Sequence, residues 1–205
     1  MTKNAPALLA IDTAAPRLQL ALLVGDACDT SIDEIAQGHA EILFDRIDKL
    51  LARNGIAYDD LDRIAVTTGP GSFTGLRIGL SAARGLGLAL KVPVVGVPSL
   101  MGISLAAECR PVAVLLDARR GEAYFQLFSG PGIGVDEAAI LPMDAARSRI
   151  PAGAEIIESP FVDIARVARL AAGLDPAAYP PEAAYIRDAD AKPQEKARVA
   201  RVQTP

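Results

Sequence analysis

Tryptophan is absent from this chain, histidine occurs once, cysteine twice, and aromatic residues fill only 4% of its 205 positions. With so few rings, the interior has to be packed from Ala, Leu, Val and Ile, which the 51% hydrophobic content supplies. One histidine, His39, excludes a His-x-x-x-His metal pair and any site built on two histidines. Nothing places a Ser and an Asp around it for nucleophilic catalysis, so it reads as a helix N-terminal residue. Cys28 and Cys109 lie far apart and suggest neither a disulfide framework nor a zinc ligand set. A basic balance is missing too: the formal net charge is −4. A protein that grips RNA by itself usually carries a basic patch. Only residues 192–201 are locally basic, so any RNA would be held mainly by something else. Long apolar runs are also lacking. Residues 7–11 are too short for a secretion signal and lack a small-residue cleavage site, and no stretch approaches the roughly 18 residues of a membrane span. The expectation is a soluble cytosolic protein with reduced thiols.

What is present suits one large domain or two small ones. Residues 7–12 (ALLAID), 17–24 (RLQLALLV) and 30–35 read as a β-meander, with a turn at Gly25 and Asp26. Over residues 38–53 the period changes: Ala40, Leu43, Phe44, Ile47, Leu50 and Leu51 share one side and acids and Lys49 the other, which predicts an amphipathic helix stopped by Asn54 and Gly55. A strand over 64–68, a helix over about 74–90 and a strand over 93–97 follow, giving a mixed sheet with covering helices. Residues 99–109 look helical. Residues 112–117 (VAVLLD) and 121–128 then repeat the theme of an apolar run, a terminal Asp, a short turn and a second strand, which suggests two related halves. After residue 130 the chain is richer in Pro and Gly and less regular, with a helix over 161–172 and a polar, charged end from 188 on.

The segment GPGSFTGLRIG, residues 69–79, follows a strand and opens a helix. Its amides lie at the positive end of a helix dipole, a generic anion site. The alternative is a tight strand-to-helix turn capped by Ser72 or Thr74. It is neither a Walker A loop, having no Lys after the glycines, nor a dinucleotide fingerprint. Gly71, Gly75, Gly79, Ala83 and Gly87 recur every fourth residue, a stripe that costs roughly 1 kcal/mol for each interior Gly against Ala. Close approach of another backbone would offset that cost. The stripe lies either on the chain's own sheet or against a helix of a second protein, with Ile78, Ala82, Leu86 and Leu90 on another face for the internal core. Asp12, Thr13 and Ala14 end the first strand either as a cleft-mouth carboxylate site or as an Asx-type turn. Asp117, Arg119 and Arg120 form the matching turn, either a phosphate contact or a solvated hairpin tip.

ALLAIDTA (7–14), GHAEILFDRIDKLL (38–51), TTGPGSFTGLRIG (67–79), VGVPSL (95–100), LDARRGEAY (116–124) and AAYIR (183–187) together resemble the bacterial TsaB (YeaZ) family, densely over residues 7–128 and thinly afterwards. The resemblance implies an α/β, actin/Hsp70-like (ASKHA, ribonuclease H-like) fold with a duplicated mixed sheet, divided here into residues 1–98 and a smaller, abbreviated half over 99–205. It implies a diverged paralogue of TsaD, the subunit that carries the His-x-x-x-His metal site and transfers the threonylcarbamoyl group to adenosine beside the anticodon of tRNAs reading A-starting codons. A TsaB-like chain would be a non-catalytic partner that docks on TsaD through N-terminal-domain helices, with the ATPase TsaE joining, tRNA engaged indirectly and a homodimer formed in isolation.

The interface expected from the stripe and the resemblance takes in Gly71, Gly75, Gly79, Ala83, Gly87, Leu76, Leu80 and Arg77, with His39, Glu41 and Leu43 from the neighbouring helix. Asp12, Thr13, Ser72, Thr74, Arg119 and Arg120 are the candidate nucleotide or anion contacts. ATP or ADP is expected at the junction with TsaD, and no cofactor or metal is expected on the chain itself. Two departures stand out: Ala14, where relatives often have Ser, and the short second half. Two other readings stay open: an enzyme of the same fold, a small-molecule kinase or a peptidase, and a stand-alone homodimeric binding module. The kinase reading needs a glycine-bearing phosphate turn after the first strand, which Asp12-Thr13-Ala14-Ala15-Pro16 does not offer.

Overall fold

A computed structural model describes residues 5–184 and residue 186. The basic stretch 192–201 and part of AAYIR lie outside the described residues. Alternation of apolar side chains lets one strand serve two cores. In β1 (Ala7–Asp12), Ala7, Leu9 and Ile11 face one layer while Leu8 and Ala10 face the other. β1 pairs antiparallel with β2 (Leu18–Val24), which pairs antiparallel with β3 (Ala27–Asp33). The third strand starts earlier than the expected 30–35, because Gly25, at φ 57°, makes a two-residue turn that sets Ala27 opposite Val24.

Helix α1 (His39–Arg53) follows, then β4 (Arg63–Thr67), α2 (Phe73–Leu90) and β5 (Val94–Val97). β4 lies parallel to β1 and β5 parallel to β4, giving the order β3-β2-β1-β4-β5. α1 and α2 cover one face through Leu43, Ile47, Leu50, Leu76 and Leu80, packed on Leu9, Ile11, Leu20 and Ile64.

α3 (Ser99–Ser104) is shorter than the expected 99–109. The amides of Glu108 and Cys109 donate to the Glu155 carboxylate at 2.9 and 2.7 Å instead of continuing the helix. β6 (Val112–Arg119), β7 (Glu122–Gly130), β8 (Ile133–Gly134), β9 (Ala139–Pro142), α4 (Met143–Ser148) and β10 (Glu155–Ile157) then build the second sheet. Its order, β8-β7-β6-β10, reproduces β3-β2-β1-β4: β6 and β7 are antiparallel, β7 and β8 antiparallel, β6 and β10 parallel. The duplication suggested by the two Asp-terminated strands is therefore present. Among the described residues the second sheet has no counterpart of β5, and its third position is shared by β8 and the four-residue β9.

α5 (Ile164–Gly173) opens with Asp163 accepting from the Arg166 amide at 3.0 Å. It packs between the sheets: Val167, Ala168 and Ala171 join Leu8, Ala10 and Leu23 of the first sheet and Val112, Val114 and Phe128 of the second. The contacts of α5 with β1 and β2 cross the division expected at residue 98. The layers are thus α1–α2, first sheet, α3–α5, second sheet and α4. No helix among the described residues is long and apolar enough to cross a membrane.

Candidate functional site: a helical groove and an inter-sheet cleft

α2 leaves β4 through Thr68–Ser72 and starts where the Ser72 hydroxyl accepts from the Gly75 amide at 3.2 Å. Of the two candidate caps, Ser72 is the one used. The small-residue stripe of this helix faces inward. A Cβ on Gly75 would run into the Thr13 carbonyl, one on Gly71 would sit 2.5 Å from the Ala14 carbonyl, and one on Gly79 would sit 2.5 Å from the Thr13 hydroxyl. Gly87 abuts Val94 in the same way. Gly75, Gly79, Ala83 and Gly87 are buried, as are Leu76 and Leu80. Their expected role in docking is therefore corrected. From Gly75 to Gly87 the stripe lets α2 lie almost flush on the chain's own β1–β2 turn and on β4 and β5, out of reach of a second protein, while Gly71, ahead of the helix, is exposed and lines the cleft described below.

The opposite side of α2 is open. Phe73, Thr74, Arg77, Ile78, Ser81, Ala82, Gly85 and Leu86, with Ala40, Leu43 and Phe44 of α1, enclose a groove of about 670 Å³. Phe44 is 48% exposed, Phe73 55% and Leu88, further along α2, 82%. A chain with five phenylalanines thus leaves two on one patch. An exposed apolar patch of this kind marks an interaction surface. The Arg77 guanidinium lies 3.8 Å over the Phe73 ring, fixing both at the rim. The face expected to serve the core does so and also meets this groove: Ala82 belongs to the core, Ile78, Leu86 and Leu90 pack against it, and Ile78, Ala82 and Leu86 line the groove as well.

Of the three α1 residues expected at the interface, Leu43 floors the groove. Glu41 is exposed but does not line it. His39 is turned inward, 6% exposed, and its Nε2 lies 3.2 Å from the Arg17 carbonyl. A carbonyl only accepts, so that bond puts the proton on Nε2. Phe44, Phe73, Ile78, Ser81, Gly85 and Leu86 were not expected at the groove. The available signal was that α2 is apolar on both sides, so the face with bulky side chains was the one left to cover.

A second concavity of about 470 Å³ lies between the two Asp-bearing turns, lined by Ala14–Pro16, Pro70–Ser72, Leu116–Arg119, Tyr124, Glu158 and Pro160. The short second half does leave a cleft, but its donors suit a triphosphate poorly. Asp12 is 1% exposed and its carboxylate accepts from Thr67 at 2.6 Å, Gln19 at 3.0 Å and the Ala14 amide at 3.1 Å. Asp12 is therefore the anchor of an Asx-type turn and not a cleft-mouth ligand. The Thr13 hydroxyl donates to the Gly75 carbonyl at 2.7 Å and the Ser72 amide to the Ala14 carbonyl at 2.7 Å. Thr74 lines the groove, not the cleft. Arg119 and Arg120 are exposed at the β6–β7 tip with φ of 64° and 55°, and Arg119 alone of the two reaches the cleft, beside Asp117 and Glu158.

The family model "TsaD: tRNA N6-adenosine threonylcarbamoyltransferase" matches residues 33–158. The chain is 37% identical over 123 residues to the tRNA threonylcarbamoyladenosine biosynthesis protein TsaB of Haemophilus influenzae, covering 58% of this chain and 52% of that protein. It is 30% identical over 151 residues to the Escherichia coli protein of the same name, covering 70% and 65%. The solved structure of YeaZ from Pseudomonas aeruginosa superposes with a TM-score of 0.73 at 25% identity, over 88% of this chain and 99% of that one. The chain belongs to the TsaB (YeaZ) family. It spans about half to two thirds of the length of these two curated TsaB relatives.

In this TsaB-family chain the buried Asp12 makes stability depend on pH in a defined direction. Burial pushes its carboxyl above the ordinary 3.8, against the opposing bonds from Thr67, Gln19 and the Ala14 amide. The folded state then holds the proton more tightly than the unfolded one. The group's contribution is fully present below the unfolded value and is lost as pH rises through the raised folded value. Asp12→Asn removes this titration, with the Gln19 amide turned to accept from the new side chain. In denaturant unfolding from below pH 3.8 up to neutrality, the stability of Asp12→Asn relative to wild type is expected to rise with pH. A flat difference would show that the hydrogen bonds cancel the burial.

Proposed function

We propose that this chain is the partner subunit of TsaD in the formation of threonylcarbamoyladenosine beside the tRNA anticodon, and that it performs no chemistry itself. The observation that carries the reading is the α1–α2 groove, an apolar surface rimmed by two exposed phenylalanines on an otherwise well-packed fold. Helix-in-groove and helix-on-helix recognition use such faces, with bulky apolar anchors inserted between two helices. The cleft supports the same reading from the other side. Asp12, at the end of β1, is held by three internal donors and stays out of the cleft, and the turn after β1 has no glycine to admit a phosphate. The names of the TsaB relatives and the TsaD family model point to the same modification. TsaE completes the assembly in this reading, and in the absence of TsaD a second copy of the chain takes the groove.

The test is reconstitution. The purified chain alone is expected to show no ATP hydrolysis, no peptide cleavage and no tRNA modification. Added to cognate TsaD, TsaE, ATP, the threonylcarbamoyl donor and tRNA, it is expected to raise modification from background to a measurable rate. Turnover by the isolated chain would replace this reading with that of an enzyme of the same fold.

A further inference from the structure

We propose that residues 175–184 form a clamp that sets the first turn of α2, and with it the end of the groove where a partner docks; the docking part rests on the function proposed above. After α5 the chain turns on Asp175, whose carboxylate accepts from the Ala177 amide at 3.0 Å and whose carbonyl accepts from Ala178 and Tyr179 at 3.1 and 3.0 Å. It then runs back to β5, the edge strand of the first sheet. The Gly96 amide donates to the Tyr179 carbonyl at 2.8 Å. A Cβ on Gly96 would run into the Pro180 carbonyl and lie 2.6 Å from the Thr68 methyl, so the segment is pressed against both strand and link. The Ala184 amide donates to the Thr68 carbonyl at 2.8 Å, and the Ala184 carbonyl would lie 3.1 Å from a Cβ on Gly69. Ala183 packs into the core that holds Leu76 and Leu80.

In the link Thr68–Ser72 the ring of Pro70 fixes one φ, but the glycines on either side of it leave the backbone free to turn. The first residue of the link continues the β4–β5 ladder, the Thr68 amide donating to the Val97 carbonyl at 3.0 Å, and the link is held from outside at three further places. Ser99 gives its amide to the Gly69 carbonyl at 2.8 Å and its hydroxyl accepts from the Gly69 amide at 3.1 Å. The Ala14 carbonyl accepts from Ser72 at 2.7 Å. The third hold is the clamp. Directly after the link come Phe73, Thr74 and Arg77, three of the groove's lining residues. The clamp also covers the open edge of β5, which would otherwise invite strand pairing.

The experiment compares wild type with Ala184→Pro, which lacks the donor to Thr68, and with Gly96→Ala, both in the full chain. Amide exchange of the isolated proteins is read by mass spectrometry, and affinity for cognate TsaD is titrated. Exchange in peptides covering residues 69–80 is expected to quicken roughly ten-fold, while β1 and α5 keep wild-type rates, and affinity is expected to fall several-fold. Unchanged exchange at 69–80 would overturn the clamp whatever the partner does. A uniform rise that includes β1 would overturn it as well, because the segment would then hold the whole fold. Faster exchange at 69–80 with unchanged affinity would overturn its link to docking. Failure of the docking reading itself shows separately, as wild-type affinity in the groove variant Ile78→Asp.

Discussion

Gly75→Ala is expected to lower the melting temperature by about 6–12 °C in calorimetry, for the addition of one methyl group. The new carbon would run into the Thr13 carbonyl, and Gly75 is held from both sides. Its own carbonyl accepts from the Thr13 hydroxyl at 2.7 Å and its amide donates to Ser72. Neither α2 nor the β1–β2 turn can retreat cheaply, since Asp12 anchors that turn through three hydrogen bonds. Overpacking of this kind costs about 3 kcal/mol. For a chain of this size each kcal/mol is about 2–4 °C. Gly85→Ala is the control. A Cβ there meets nothing within 4 Å, so the change gains helix propensity and is expected to stabilise by up to about 1 kcal/mol. Equal losses at both positions would mean that the stripe is not seated on the sheet.

The second large effect is on binding. Ile78→Asp places a carboxylate among Leu43, Phe44, Phe73, Ala82 and Leu86. In the free protein the groove is open to water, so the charge stays solvated, and the loss of stability is confined to the part of Ile78 that packs against the core. Under a docked helix the same charge would be stripped of water, with Arg77 the only cationic side chain of the lining to offset it. Truncation or charge insertion at the centre of an interface typically costs 2–4 kcal/mol. An affinity loss of about 100-fold follows at roughly 3 kcal/mol.

The fold was legible because it rests on short-range patterns. The apolar runs ALLAID and VAVLLD, each closed by an Asp, suggested two copies of one motif, and the shared strand order of the two sheets is that motif carried through. The short spans within the second sheet were not legible, since β8 and β10 have two and three residues and exist only through their pairing with β7 and β6. The four-residue spacing of the glycines was equally plain, but what the glycines meet was not. Periodicity says which residues share a face of a helix. It does not say whether Thr13, some sixty residues away, arrives on that face. Asp12 shows the same limit, because its three partners come from β2, β4 and its own turn. Ile78 and Leu86 pack against the core as expected, but periodicity did not show that the same face, beside Phe73, also stays open as a groove.

The central claim is that α1 and α2 present their outer groove, not their glycine stripe, to the partner. Titration of cognate TsaD with wild type and with Ile78→Asp, at matched melting temperatures, tests it most directly. The account predicts that the variant keeps its fold and binds TsaD at least about 100-fold more weakly. A folded variant that binds TsaD as tightly as wild type would contradict it.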